Sequence, residues 1–228
     1  GFTMNRPLAL STPSASTGWG ASIARHRVLR NTYALLSMTL LFSAAIAGLA
    51  VALQAPPARL GITLVGYFGL LFLVHKLQHS GWAIPAVFAL TGFMGYTLGP
   101  VLARHLALPG GAQVIALALG ATGATFLALS AWVLASRRDF SFMGGFLFAG
   151  MVIARLAGLG AMFLQLPALA LAVSAMVALL SAGMILFETS RIVNGGETNY
   201  VLATVGLFVS LFNLFTSLLS LFGFGSND

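Results

Sequence analysis

Glu188 is the residue that most invites a chemical reading, because it is the only acid inside a long apolar run of this chain. Asp139, Glu197 and Asp228 all fall in polar breaks or at the end. A carboxylate among apolar neighbours is held ionised by a partner or kept neutral by its surroundings, and both states suit proton sensing or cation coordination. Arg191, at i+3 on the same run, is the nearer cation by spacing. Arg155 matches by charge but not by depth. From the Gln165-Leu166 turn it lies 11 residues back and Glu188 about 22 residues on, so their depths differ by roughly 16 Å. Arg155 is therefore expected to meet backbone carbonyls, a water-filled cavity or the far interface. Two polar stripes accompany these charges. Ser174, Ser181 and Glu188 recur every seven residues, and Ser210, Asn213, Ser217 and Ser220 follow at intervals of three, four and three. Each set shares a helix face, and both faces should turn away from lipid. Glu188, Arg191, Ser210, Asn213 and Arg155 are thus the functional candidates, read as one buried, ion-sensing polar cluster.

Other reactive types lack the company that catalysis needs. His75 and His79 have a metal-gripping spacing, but Lys76 stands where the zinc-protease motif puts its general-base Glu, so the pair reads as interfacial. His105 beside Arg104 reads the same way. There is no Gly-x-Ser-x-Gly nucleophile motif and no phosphate-cradling Gly-x-Gly-x-x-Gly loop. Cysteine is absent, which excludes disulfides, thiolate metal sites and cysteine nucleophiles. The expectation is a protein that is not an enzyme and holds no cofactor or metal.

The elements that must position these residues are membrane helices. Of 228 residues 59% are hydrophobic and only 7% charged, too few charges to cover a soluble protein of this size. Seven apolar runs approach the roughly 20 residues that a bilayer crossing takes: 31–53, 60–77, 82–106, 112–135, 140–164, 167–191 and 200–222. Between them stand Pro56-Pro57, Ser80-Gly81, Pro109-Gly110-Gly111, Arg137-Arg138-Asp139, Gln165-Leu166-Pro167 and Asn194-Gly195-Gly196. The fold class is therefore an all-α membrane protein, a seven-transmembrane-helix bundle, with the polar seventh helix at its centre. Ala116, Gly120, Ala124 and Ala128 on the fourth run, and Gly92, Gly95 and Gly99 on the third, offer faces for close helix approach.

Cations set the orientation. Arg6, Arg25, Arg27, Arg30, Lys76, Arg137, Arg138 and Arg191 fall on one side against Arg59 and Arg104 on the other, eight to two. By the positive-inside rule the N-terminus is cytoplasmic and the C-terminus external. Residues 1–27, rich in Ser, Thr, Gly and Pro, read as a mobile cytoplasmic tail before a transmembrane domain at 28–228, with Gly1-Phe2-Thr3 ahead of Met4 an expression remnant. The net charge of +7 is scattered rather than gathered into a stripe, so nucleic acid is not an expected partner.

Three segments carry a resemblance: Thr91–Pro100 (TGFMGYTLGP), Phe187–Ile192 (FETSRI) and Leu211–Phe215 (LFNLF). They are similar to the Bax-inhibitor-1 (transmembrane Bax inhibitor motif) family. His26–Tyr33, Phe163–Leu169 and Gly195–Tyr200 resemble its bacterial branch, the modulators of the FtsH protease (YccA-like), and the likeness runs from about residue 25 to the C-terminus. It implies a seven-helix inner-membrane bundle. It also implies a partner, the membrane-anchored ATP-dependent protease FtsH with its HflK/HflC companions, whose proteolysis of membrane proteins the chain would restrain. The N-terminal tail would be the handle that the protease grips. The alternative that the family implies is a pH-influenced calcium or cation leak, governed by paired acids on the sixth and seventh helices. Glu188 stands at the first of those positions, and Ser210 stands where the second acid would be. Without that acid, the shared-proton coupling of the pair is missing.

Overall fold

The computed structural model describes residues 16–225, in which every regular element is helical. The order is α1 (Ser16–Ala52), α2 (Leu60–Lys76), α3 (Ala83–Leu106), α4 (Gly111–Ser136), a 3₁₀ turn (Ser141–Met143), α5 (Gly144–Phe163), α6 (Pro167–Val193) and α7 (Tyr200–Gly225). Six helices are long and apolar enough to cross a membrane, and α2, at 17 residues, is a shorter apolar helix. The chain is an all-helical membrane protein.

Local chemistry explains the breaks. The shortest connection, between α5 and α6, is a helix stop rather than a bend. Gln165 takes a left-handed φ of 52°, and the Leu166 amide reaches back to the Ala161 carbonyl at 3.0 Å. That is the six-to-one bond of a Schellman ending. Pro167 then opens α6 at a first-turn position where its missing N–H costs nothing. Gln54 ends α1 in the same way, with Ala55 N–H bonded to the Ala50 carbonyl at 2.9 Å. Gly110, at φ 74°, supplies the left-handed residue that turns the chain into α4. Asn199 caps α7: its Oδ1 accepts from the Val201 amide at 2.9 Å, while its Nδ2 donates to the Gln78 carbonyl at 3.0 Å.

One boundary differs from expectation. The helix that should begin near residue 31 begins at Ser16, so residues 16–27, expected in the tail, extend α1 as a helix that is exposed from Gly18 to Arg27. No proline follows Pro13 in this stretch, and Ala21, Ala24, Arg25 and Arg27 are good helix formers. The rest of the expected tail, residues 1–15, lies outside the described residues, as do residues 226–228.

Packing follows the small residues of α3, but not those of α4. Gly95 lies directly against the Ser43 backbone of α1, and Gly92 and Gly99 face Phe42 and Ala50. A side chain at Gly95 or Gly99 would drive the two helices apart, whereas one at Gly92 would push the Phe42 ring aside. The stripe Ala116, Gly120, Ala124 and Ala128, expected to make a close approach, is instead exposed, with open space around Gly120. α4 turns Val114, Ala118, Thr122 and Val133 inward, and these do the packing. α7 touches α1, α3, α4 and α6, and half of its span is buried against 17% for α5. α5 leans on α6 and presents Phe146, Phe148, Ile153, Leu156 and Phe163 outward, as a lipid-facing surface does.

The turns gather at two ends. Asn199 bonds Gln78, Asn194 donates to the Arg138 carbonyl at 3.4 Å, and Arg25 runs along Gly195. This end carries Arg25, Arg27, Arg30, Lys76, Arg137, Arg138 and Arg191. At the other end Tyr96 Oη donates to the Pro56 carbonyl at 3.1 Å, and His105 lies against Gly223.

Candidate functional site

The candidate residues divide into two layers rather than one cluster. The first lies toward the basic end. Glu188 of α6 is buried, with 8% of its surface exposed. Its carboxyl group occupies the space a Cβ on Gly206 of α7 would need, at 2.7 Å. Gly206 is therefore the residue that admits the carboxylate between α6 and α7. No hydrogen bond reaches that carboxylate among the described residues. Ser210, one turn along α7, is also buried, but its hydroxyl donates to the Gly206 carbonyl of its own helix at 2.9 Å.

Arg191 does not close on Glu188 as its spacing suggests. Its guanidinium pairs with Glu197 at 3.6 Å, donates to the Gly196 carbonyl at 3.4 Å and sits 5.4 Å over the Phe187 ring. The α6–α7 connection folds back and offers it Glu197, whose side chain is only 13% exposed. The Glu188 carboxyl feels Arg191 only through space. Thr189 on α6 is buried with no hydrogen-bond partner, so this layer is polar and incompletely satisfied; Ser181, equally unpartnered, lies seven residues back along α6, nearer the depth of Asn213. Ser174, the last of that stripe, bonds its own Ala170 carbonyl at 3.0 Å.

The second layer lies seven residues further along α7, roughly 10 Å from Gly206. Here Arg155 of α5 donates to Asn213 Oδ1 of α7. Tyr67 of α2 is close enough to interact with the guanidinium electrostatically. The depth estimate that kept Arg155 from Glu188 agrees with this, but the partner is a side-chain amide and not a backbone carbonyl. The bond joins α5 to a helix it otherwise hardly touches.

Sequence reasoning missed Gly206, Tyr67, Asn199 and Glu197. Asn199 and Glu197 were legible as a cap pattern before an apolar run. Gly206 and Tyr67 carry no signal until their neighbours are known. His75 is a surface group, its Nδ1 bonded to the Leu71 carbonyl at 2.9 Å, and His79 is exposed beyond the end of α2. Among the described residues no three His, Asp or Glu side chains gather as a metal site would need.

Residues 25–227 match the model of a family described as Bax1-I, inhibitor of apoptosis-promoting Bax1. The chain belongs to this family. It is similar to the "Modulator of FtsH protease YccA" of Escherichia coli (strain K12), 52% identical over 206 residues, spanning 90% of this chain and 94% of that one. A relative from Escherichia coli O6:H1, the "Inner membrane protein YccA", matches to the same extent. An "Uncharacterized membrane protein" of Vibrio cholerae is 43% identical over 226 residues, spanning 99% of this chain and all of its own. The segments that carry the Bax1-I resemblance hold the contacts just described. Thr91–Pro100 forms the α3 face against α1, Phe187–Ile192 holds Glu188, and Leu211–Phe215 holds Asn213.

Proposed function

We propose that this chain is an inner-membrane regulator that binds the FtsH protease, together with its HflK/HflC partners, and restrains its action on membrane proteins. The observation that carries the reading is the 52% identity, over nine-tenths of both chains, to a relative named for that role. The physical argument concerns extraction. A processive protease starts on an unstructured handle, and the Ser-, Thr- and Pro-rich residues before Ser16 have the composition of one. Behind such a handle stands a seven-crossing bundle built around α7, with α1 locked to α3 through backbone-level contacts at Gly95. Pulling α1 out would break those contacts and expose the buried Thr32, Thr39 and Ser43 to hydrocarbon. Extraction is then slow, and the protease stays engaged without turnover. The N-terminus is taken as cytoplasmic because the basic end of the bundle is the end from which α1 starts.

Affinity capture of the full chain from native membranes should recover FtsH, and a chain lacking residues 4–15 should resist degradation. Failure to recover FtsH overturns the regulator reading. Unchanged turnover of the shortened chain overturns only the handle. A leak governed by paired acids on α6 and α7 is not advanced, because Ser210 stands on α7 where the second acid of such a pair would be, and its hydroxyl donates to the Gly206 carbonyl of its own helix.

A further inference from the structure

A cleft of about 160 Å³ opens between the start of α1 and the ends of α4 and α6, at the basic end of the bundle. Arg25 and His26 of α1 and Arg137, the left-handed residue that ends α4, stand around it. Leu29, Leu134 and Val193 complete the wall about one turn further into the bilayer. Neither arginine has a carboxylate within ion-pair distance among the described residues. The salt bridge at this end is taken by Arg191 and Glu197, and Asp139 Oδ1 is engaged by the Ser141 hydroxyl at 2.6 Å. The stem of Arg25 is held along Gly195, and His26 Nδ1 donates to the Ser22 carbonyl at 2.9 Å. Two guanidinium groups without a carboxylate partner among the described residues thus stand on separate helices around one small opening.

We infer that this cleft binds the phosphate headgroup of an anionic phospholipid, with Arg25 and Arg137 as its ligands. Three observations select a lipid over a soluble anion, and they rest on the membrane-spanning reading, not on the protease. First, the cationic rim lies directly above an apolar wall, the order of charge and hydrocarbon in a phospholipid. Second, α1 and α4 scarcely touch along their length, and deeper in the bundle the Tyr33 and Phe126 rings, 5.8 Å apart, close the gap. Third, Trp132 lies on α4 between those depths, its ring tilted against Phe140 and 5.9 Å beneath Arg138, the position an interfacial aromatic takes at headgroup level. Basic pockets between transmembrane helices at a membrane surface are recurrent sites for such headgroups.

The test titrates the detergent-solubilised full chain with phosphatidylglycerol, with phosphatidylcholine of the same acyl chains, or with sodium phosphate, and follows the thermal midpoint. Phosphatidylglycerol should stabilise at lower concentration than phosphatidylcholine, and sodium phosphate should not reproduce the effect. Each cation near an anionic headgroup contributes about fivefold, so the double variant Arg25→Gln/Arg137→Gln should need about 30-fold more phosphatidylglycerol. Arg25→Lys/Arg137→Lys should retain most of the preference, and Arg59→Gln, at the opposite end, should leave it intact. Equal midpoints of all variants in phosphatidylcholine show that folding is preserved. If it is not, loss of the preference in Arg25→Gln alone decides. Unchanged preference in the Gln variants overturns the site, and equal stabilisation by sodium phosphate overturns the lipid as its source. Loss of FtsH capture with the lipid preference intact assigns the cleft to a protein partner instead.

Discussion

Single residues decide what the two polar layers can do. Arg155 and Asn213 make a charge-assisted contact between the middles of α5 and α7, with Arg155 exposed on the surface of the bundle. Hydrogen bonds between membrane helices average near 0.6 kcal/mol and reach about 1.7, and a charged donor belongs in the upper part of that range. A double-mutant cycle of Arg155→Met and Asn213→Leu, followed by reversible unfolding in mixed micelles, should give a coupling of about 1–2 kcal/mol. Additive losses would show that the pair does not interact. At the membrane surface, Asp139 Oδ1 accepts the Ser141 hydroxyl at 2.6 Å and the Ser141 amide at 2.9 Å. These bonds, the hydroxyl first, hold its carboxyl below the usual value of 3.8. A depressed carboxylate contributes stability above its unfolded pKa, and that contribution disappears as pH falls through the folded value. Asp139→Asn should therefore lower stability slightly at neutral pH, converge with the parent chain below about pH 4, and so flatten the acid limb, the difference staying small because the group is exposed. The sequence showed that Arg155 and Glu188 stand at different depths, because depth along a helix is a matter of counting. It did not show that Arg191 turns to Glu197, because that depends on how six connecting residues fold back.

Elements were more legible than contacts, for a physical reason. An apolar run long enough to cross a bilayer has few alternatives to helix, so six of the seven expected starts fall within a few residues of those observed. α1 departs from this because its extension to Ser16 lies in water, where apolar length gives no signal. Which small-residue stripe packs is a different matter. Gly92, Gly95 and Gly99 meet α1, whereas the equally regular Ala116, Gly120, Ala124 and Ala128 meet nothing in this chain. Spacing makes a face capable of close approach but does not say which neighbour arrives. The difference is measurable. Gly95→Ala would place a methyl group against the Ser43 backbone, which has no flexible end to move aside. The helices must separate, at a cost of about 1–3 kcal/mol. Gly120→Ala points into open space and should be neutral or stabilising by up to about 1 kcal/mol through helix propensity. Thermal midpoints of the two variants in one detergent compare them directly, and equal losses would mean that α4 has a partner the single chain does not show.

At the scale of the whole molecule, orientation follows from charge and from the parity of crossings. Seven described cations gather at the end where α1, α3, α5 and α7 begin, and Arg59 and Arg104 lie at the other. α2 settles whether the count is odd. Its 17 residues span about 25 Å, slightly less than a typical hydrocarbon core. Lys76 at its end can snorkel to the interface and make up the difference. If α2 crosses, the 53–59 and 107–110 connections share one side, and the 77–82, 137–143 and 194–199 connections share the other. If it does not, the 53–59 connection joins the same side as 77–82. The chain contains no cysteine, so single cysteines report without background. Cysteine introduced at Arg59 or at Leu108 should be blocked by an impermeant maleimide added to intact cells. Cysteine at His79, Arg138 or Thr198 should react only after permeabilisation. Labelling at Leu108 but not at Arg59 would leave α2 on one side of the membrane. It would put both termini of the chain on the opposite, external side and remove the arrangement on which the protease reading depends.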